Sequence, residues 1–140
     1  MPTGTCQICE RRIGIRTSDR VLYKHGHGKT SGGGFTPGHC QGSFELPYEL
    51  SSDLCKQFQR QLYAELNAKN TRLTNLQSGV ITQLFSDRDG KDIQPGHPSW
   101  NRVFNGAVQL LELEIAAIRR NIQTMEKLID NWELKDIRGL

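Results

Sequence analysis

Residues 99–132 read SWNRVFNGAVQLLELEIAAIRRNIQTMEKLIDNW. Apolar side chains recur at Phe104, Val108, Leu111, Ile115, Ile118, Ile122, Met125, Ile129 and Trp132, at gaps that alternate four and three without a break. That period is the seam of a coiled coil, and it persists for four heptads. Ser99 is placed to cap the N-terminus. The pattern predicts a helix over about 99–134. A helix of roughly 35 residues is about 50 Å long. Ala107, Leu110, Leu113 and Leu128 widen the apolar stripe beyond what two strands need. A further surface should therefore cover it, from the module formed by residues 1–50 or from a second copy of the chain.

A seam of this kind needs a partner, and the sequence supplies one upstream. Ser51-Ser52-Asp53 is a helix start, with a serine to cap and a carboxylate for the positive end of the dipole. Leu54, Phe58, Leu62, Leu66, Leu73, Leu76, Val80 and Leu84 follow at helical spacing, interrupted by Lys69. This predicts a first helix over about 52–85, weakened at Gly79. Asp87 to Pro98 is a loop by its Gly, Pro and Asp content, placed at 86–98. Its Asp-x-Asp-Gly lacks the closing bidentate Glu of a calcium loop and reads as a solvated turn. Two long helices joined by one short loop fold back as an antiparallel pair.

Residues 1–50 are different: rich in Gly and without long apolar runs. Arg20 to Lys24 is the best strand candidate there, and Phe44, Leu46 and Tyr48 alternate as if to pack this module against the rest of the chain. The chemistry lies between Cys6 and Cys40. Cys6-Gln7-Ile8-Cys9 sets two thiols two residues apart, able to turn toward one ion. His25, His27, His39 and Cys40 are available for the second half. Thiolate is the preferred donor, so Cys40 takes one place, and His25 directly follows the candidate strand. The set read here is Cys6, Cys9, His25 and Cys40, holding one structural Zn2+, with His27 and His39 left open as alternatives. Cys55 reads as a small core residue on the first helix. A redox Cys-x-x-Cys would want a preceding strand and a helix opening at the second cysteine, and neither is apparent.

The order of these elements resembles a group of uncharacterised proteins carried by bacteriophages and mobile elements. The resemblance rests on Cys6, Cys9, His25-Gly26, Cys40-Gln41-Gly42 and Pro47 to Ser51. It covers about the first 50 residues, and the later helices match in general character only. It implies the same ligand set and a phage or mobile-element origin, and brings no established activity with it. Gly28 to Gly34 is richer in glycine than that pattern.

The chain has 140 residues, 36% of them hydrophobic, with a net charge of +3. This suits a small metal-stapled unit with a thin helical element better than one large core. No apolar run is long enough to span a membrane, and the first residues do not form a signal peptide, so a reducing cytoplasm is expected. Gly26-His27-Gly28-Lys29-Thr30 imitates a P-loop but has Tyr23 where its first glycine belongs. The zinc-deaminase signature does not occur. An HNH-like nuclease is a lesser alternative, short of a suitable Asn and further ligands. Four protein ligands close a zinc site, which points away from an enzyme.

The sequence therefore describes a mainly α protein. Residues 1–50 form a zinc-stapled module of short strands and loops, and 51–140 form the antiparallel helical hairpin. The favoured function is binding and modulation or inhibition of a host protein or defence complex, or self-association through the hairpin. The alternative is nucleic-acid binding through Arg11, Arg12, Arg16, Arg20, Lys24 and Lys29.

Overall fold

The computed structural model describes residues 2–26 and 38–135. His27 and Lys29 lie outside them. Two long helices, α1 (Asp53–Gln77) and α2 (Trp100–Asp130), pack together, accompanied by four three-residue strands. The strands form two separate antiparallel pairs, β1 (Thr3–Thr5) with β2 (Arg12–Gly14) and β3 (Leu84–Ser86) with β4 (Lys91–Ile93). No helix among the described residues is long and apolar enough to cross a membrane.

The chain divides into two compact units. The first comprises Met1–Arg60 and Thr124–Leu140. In it β1 and β2 pair in the register Thr3↔Gly14 to Thr5↔Arg12, and the chain continues through an Ile15↔Leu22 bridge and a Gly26↔His39 bridge. The β1–β2 connection and the Arg16–Val21 turn are built alike. In each, a backbone N–H reaches back four residues (Glu10 to Cys6, Arg20 to Arg16), and the donor takes a left-handed conformation, φ 60° and 65°. Such hairpin loops let one short stretch reverse within a few residues.

The core of this unit is Cys6, Ile15, Leu22 and Cys40, flanked by Ile8, Cys9 and Ile13. Gly4 is required by close approach, since a Cβ there would lie 2.5 Å from Pro47 Cβ. Pro47 is fully buried, while Phe44 and Leu46 are exposed, contrary to the packing role expected of them. The segment's anchors are its polar groups. Glu49 accepts from Thr5 N at 2.6 and 3.0 Å, Tyr48 Oη donates to Leu128 O, and Trp132 Nε1 donates to Tyr48 O at 2.5 Å.

The second unit is Gln61–Gln123. Leu76, Leu84 and Leu111 form its core with Leu73, Ile81, Trp100, Val103, Phe104 and Ala107 around them. Lys69, which interrupts the α1 stripe, meets Glu114 of α2 at 2.8 Å. With Leu76 beside Leu111, this gives the helices their antiparallel sense. The α2 seam is buried at Leu111, Ile115, Ile118 and Ile122 as its spacing predicts.

Two boundaries differ from expectation. α1 stops at Gln77 rather than near Phe85. Gly79 adopts φ +81° and donates to Leu76 O, and Ile81 N returns to Asn75 O, which caps the orphan carbonyls. Leu84 thus lies on β3, which begins inside the predicted helix, and the predicted loop holds the end of β3, the turn at Gly90 with φ 65° and β4. α2 begins where Ser99 accepts from Val103 N at 3.1 Å, and it ends at Asp130.

Candidate metal centre

Cys6, Cys9, His25 and Cys40 come together, with one ligand atom from each lying within 4.8 Å of all the others. All four belong to the first unit. Cys6 and Cys9 are presented by the β1–β2 turn. Cys40 follows the Gly26↔His39 bridge, and its N–H donates to His25 O at 2.8 Å. One hydrogen bond thereby sets the spacing of the two distant ligands. His39 is exposed and stands outside the cluster, and Cys55 points elsewhere, its Sγ 3.4 Å from Gln7 O.

The histidine identifies what the site is for. His25 Nδ1 lies 2.8 Å from Tyr23 O, so that nitrogen carries the hydrogen and Nε2 is left with its lone pair. Nε2 is buried and without a hydrogen-bond partner among the described residues. A buried acceptor costs free energy unless it is satisfied. A cation held by this nitrogen and three thiolates would satisfy it, and the carbonyl behind Nδ1 is the usual support of a ligating imidazole.

Backbone N–H groups surround the sulfurs. Ile8 N and Cys9 N approach Cys6 Sγ at 3.4 and 3.5 Å, and Gly42 N approaches Cys40 Sγ at 3.5 Å. These donors favour the thiolate form. Gly42 has no alternative at its position, because a Cβ would collide with Cys6 Sγ.

Without a cation, burial dominates two of the thiols: it pushes Cys6 up to about 12 and also raises Cys40. Burial acts on Cys9 in the same sense but is outweighed by hydrogen bonds from the Arg11 backbone and side chain, so Cys9 falls below the ordinary thiol value. Two buried thiols that resist ionisation, clustered with a third that ionises more readily, become compatible as thiolates when a divalent ion supplies the charge. None of the four cysteines is in a disulfide.

A strand does precede Cys6, which removes one reason for setting a redox pair aside. The other stands, because Cys9 opens a turn into β2 and not a helix. Arg20 to Lys24 contributes only the Leu22 bridge in place of a full strand, since Arg20 is taken up by the preceding turn.

The basic residues are less available than their sequence suggests. Arg11 donates to Gly26 O, bracing the His25 segment beside Cys9. Arg12 bonds Thr3 O at 3.0 Å and lies 3.7 Å from Glu49, and Arg16 is paired with Asp19 at 2.5 Å. Arg20 and Lys24 are exposed and form no ion pair among the described residues.

Gln7 was not singled out by sequence, yet it is buried and clamps three segments. Its Nε2 donates to Leu46 O at 2.8 Å, and its Oε1 accepts from Cys55 N at 3.0 Å in the first turn of α1. The only hint in the sequence is its place inside the Cys-x-x-Cys turn. Comparison with protein-family models, with curated proteins and with solved structures returns no match.

Proposed function

We propose that the chain is a non-enzymatic interaction protein whose N-terminal module is folded around one structural zinc ion. Cys6, Cys9, Cys40 and His25 Nε2 are its ligands. The observation that carries this reading is the unsatisfied, buried Nε2 of a histidine clustered with three cysteine sulfurs. The donor set selects a borderline-soft ion of tetrahedral habit. The Cys6–Cys40 Sγ separation of 3.8 Å also fits. It equals the edge, about 3.8 Å, of a tetrahedron built on Zn–S bonds of about 2.3 Å. Four protein ligands leave no open position for substrate, so the ion serves as a staple. An open cleft of about 350 Å³ lined by Asn67, Asn70, Thr71, Thr74 and Asn75 offers no acid, base or activated nucleophile.

Binding is the function such a scaffold serves. Leu110 and Leu113 on α2 are 57% and 63% exposed, so these two of the residues that widen its stripe stay uncovered. Given the resemblance to phage and mobile-element proteins, the partner is a host protein that binding modulates or inhibits. Two measurements test the reading. Metal analysis of the purified chain should give one zinc per chain, lost in Cys9→Ser, and full zinc in that variant would remove Cys9 from the site. Leu110→Lys with Leu113→Lys should abolish retention of a protein that the unaltered chain captures from host lysate and binds again when purified. Unchanged retention would exclude that face.

A further inference from the structure

The first unit, which also holds the metal centre, exposes a group of aromatic and basic side chains. Tyr23, Phe44 and Leu46 are 42%, 49% and 38% exposed. Phe44 N donates to Leu22 O at 2.9 Å, which puts Tyr23 and Phe44 on adjoining segments. Arg16 joins them: its guanidinium carbon lies 5.5 Å from the Phe44 ring centroid. Arg20 and Lys24, both exposed, lie within three residues of Tyr23 along the chain. The carboxylates nearby are Asp19, held by Arg16 at 3.0 and 2.5 Å, and the exposed Glu45.

We propose that this face binds single-stranded nucleic acid, with Tyr23 and Phe44 stacking on bases and Arg16, Arg20 and Lys24 contacting phosphates. Aromatic rings flanked by cations are the recognition chemistry of unpaired strands, because every base has a π-face and every nucleotide a charge. Arg16 already lies over Phe44, so its planar cation can extend a stack, and it meets a phosphate by exchanging Asp19 for it. A duplex fits less well. Its bases are already stacked, and no helix among the described residues precedes Asp53 to enter a groove.

The backbone is consistent with a side chain kept for a purpose. Phe44 occupies a left-handed conformation, φ 61°, where glycine would be free of strain. The proposal requires the folded module and thus rests on the metal-stapled reading, so zinc content is measured for every variant.

The test is fluorescence anisotropy of the zinc-loaded full chain with labelled oligo-dT and oligo-U of about 20 nucleotides and a duplex of equal length. Both single strands should bind at low salt. Three phosphate contacts predict a slope of about −2 in log affinity against log salt. With zinc retained, Tyr23→Ala and Phe44→Gly should each weaken binding by about 5- to 100-fold. Phe44→Gly also relieves the backbone and should not unfold the module. Tyr23→Trp should retain affinity, and Arg20→Glu with Lys24→Glu should abolish it. The proposal is overturned by no affinity at low salt or by duplex binding as tight as that of the single strands. It is also overturned if binding is indifferent to the aromatic changes, or if these rings prove necessary only for a protein partner. Loss of zinc with oligonucleotide affinity intact would refute the staple and leave this face standing.

Discussion

His25 shows how much one residue's surroundings decide. With Nδ1 committed to Tyr23 O, its other nitrogen is buried without a partner, so His25→Ala should remove both a ligand and an unsatisfied group. The variant is expected to lose stoichiometric zinc in metal analysis, and full retention would contradict the assignment. Gly42→Ala tests the packing of the same site, since its added Cβ would collide with Cys6 Sγ. Zinc affinity measured by chelator competition should fall by about tenfold or more, as expected for groups that orient ligands without being ligands. The Cys-x-x-Cys spacing made two ligands legible in the sequence. The parts that Arg11, Gly42 and Gln7 play at the site were not legible, because they lie in contacts to segments distant along the chain. Gln7 meets Leu46 and Cys55, at separations of 39 and 48 residues.

Among the elements, α2 was the most legible, because its regular seam is both its sequence signal and its buried face. Ile118→Ala, deep in that seam, should destabilise the protein by about 2–5 kcal/mol in denaturant titration. A cost under about 0.5 kcal/mol, the scale of surface positions, would mean that the seam is not packed as described. α1 was legible at its start but not at its end. Apolar spacing carries on through Val80 and Leu84, whereas the backbone turns at Gly79. Nothing lies within 4 Å of a Cβ built at Gly79, so Gly79→Ala isolates the cost of φ +81°. It should destabilise by about 1 kcal/mol through the backbone alone. No loss on thermal melting would argue against the left-handed cap. The β3–β4 hairpin was hidden because its strands are three residues long, and their inward positions include Ser86, a polar residue. That hydroxyl is used internally, donating to Asp89 Oδ2 at 2.7 Å.

Over the whole molecule, the division into Met1–Arg60 with Thr124–Leu140, and Gln61–Gln123, sets what metal removal should do. A small unit with four clustered ligands in its core depends on the ion for stability. Chelation should raise hydrogen exchange across the described residues of the first unit, including the helical ends Asp53–Arg60 and Thr124–Asp130, and leave Gln61–Gln123 protected. Uniform loss of protection would show that the units do not unfold separately. Alkaline pH acts on the zinc-loaded chain through a different thiol. Burial pushes Cys55 up to about 11 from an ordinary 9.0. Its proton is therefore held by the folded state after the unfolded chain has lost it. The stabilisation is complete below about pH 9 and is lost as pH rises through 11. Tyr48, also raised by burial, acts in the same sense. Denaturant midpoints should thus fall over that interval, and less steeply in Cys55→Ala. An identical slope in that variant would show that Cys55 titrates as it does when unfolded.

The central claim is the identity of the four ligands, and X-ray absorption at the zinc edge of the loaded chain tests it most directly. The account predicts three sulfurs at about 2.3 Å and one imidazole nitrogen at about 2.0 Å. Four sulfurs, which would draw in Cys55, or a shell containing oxygen donors would contradict it.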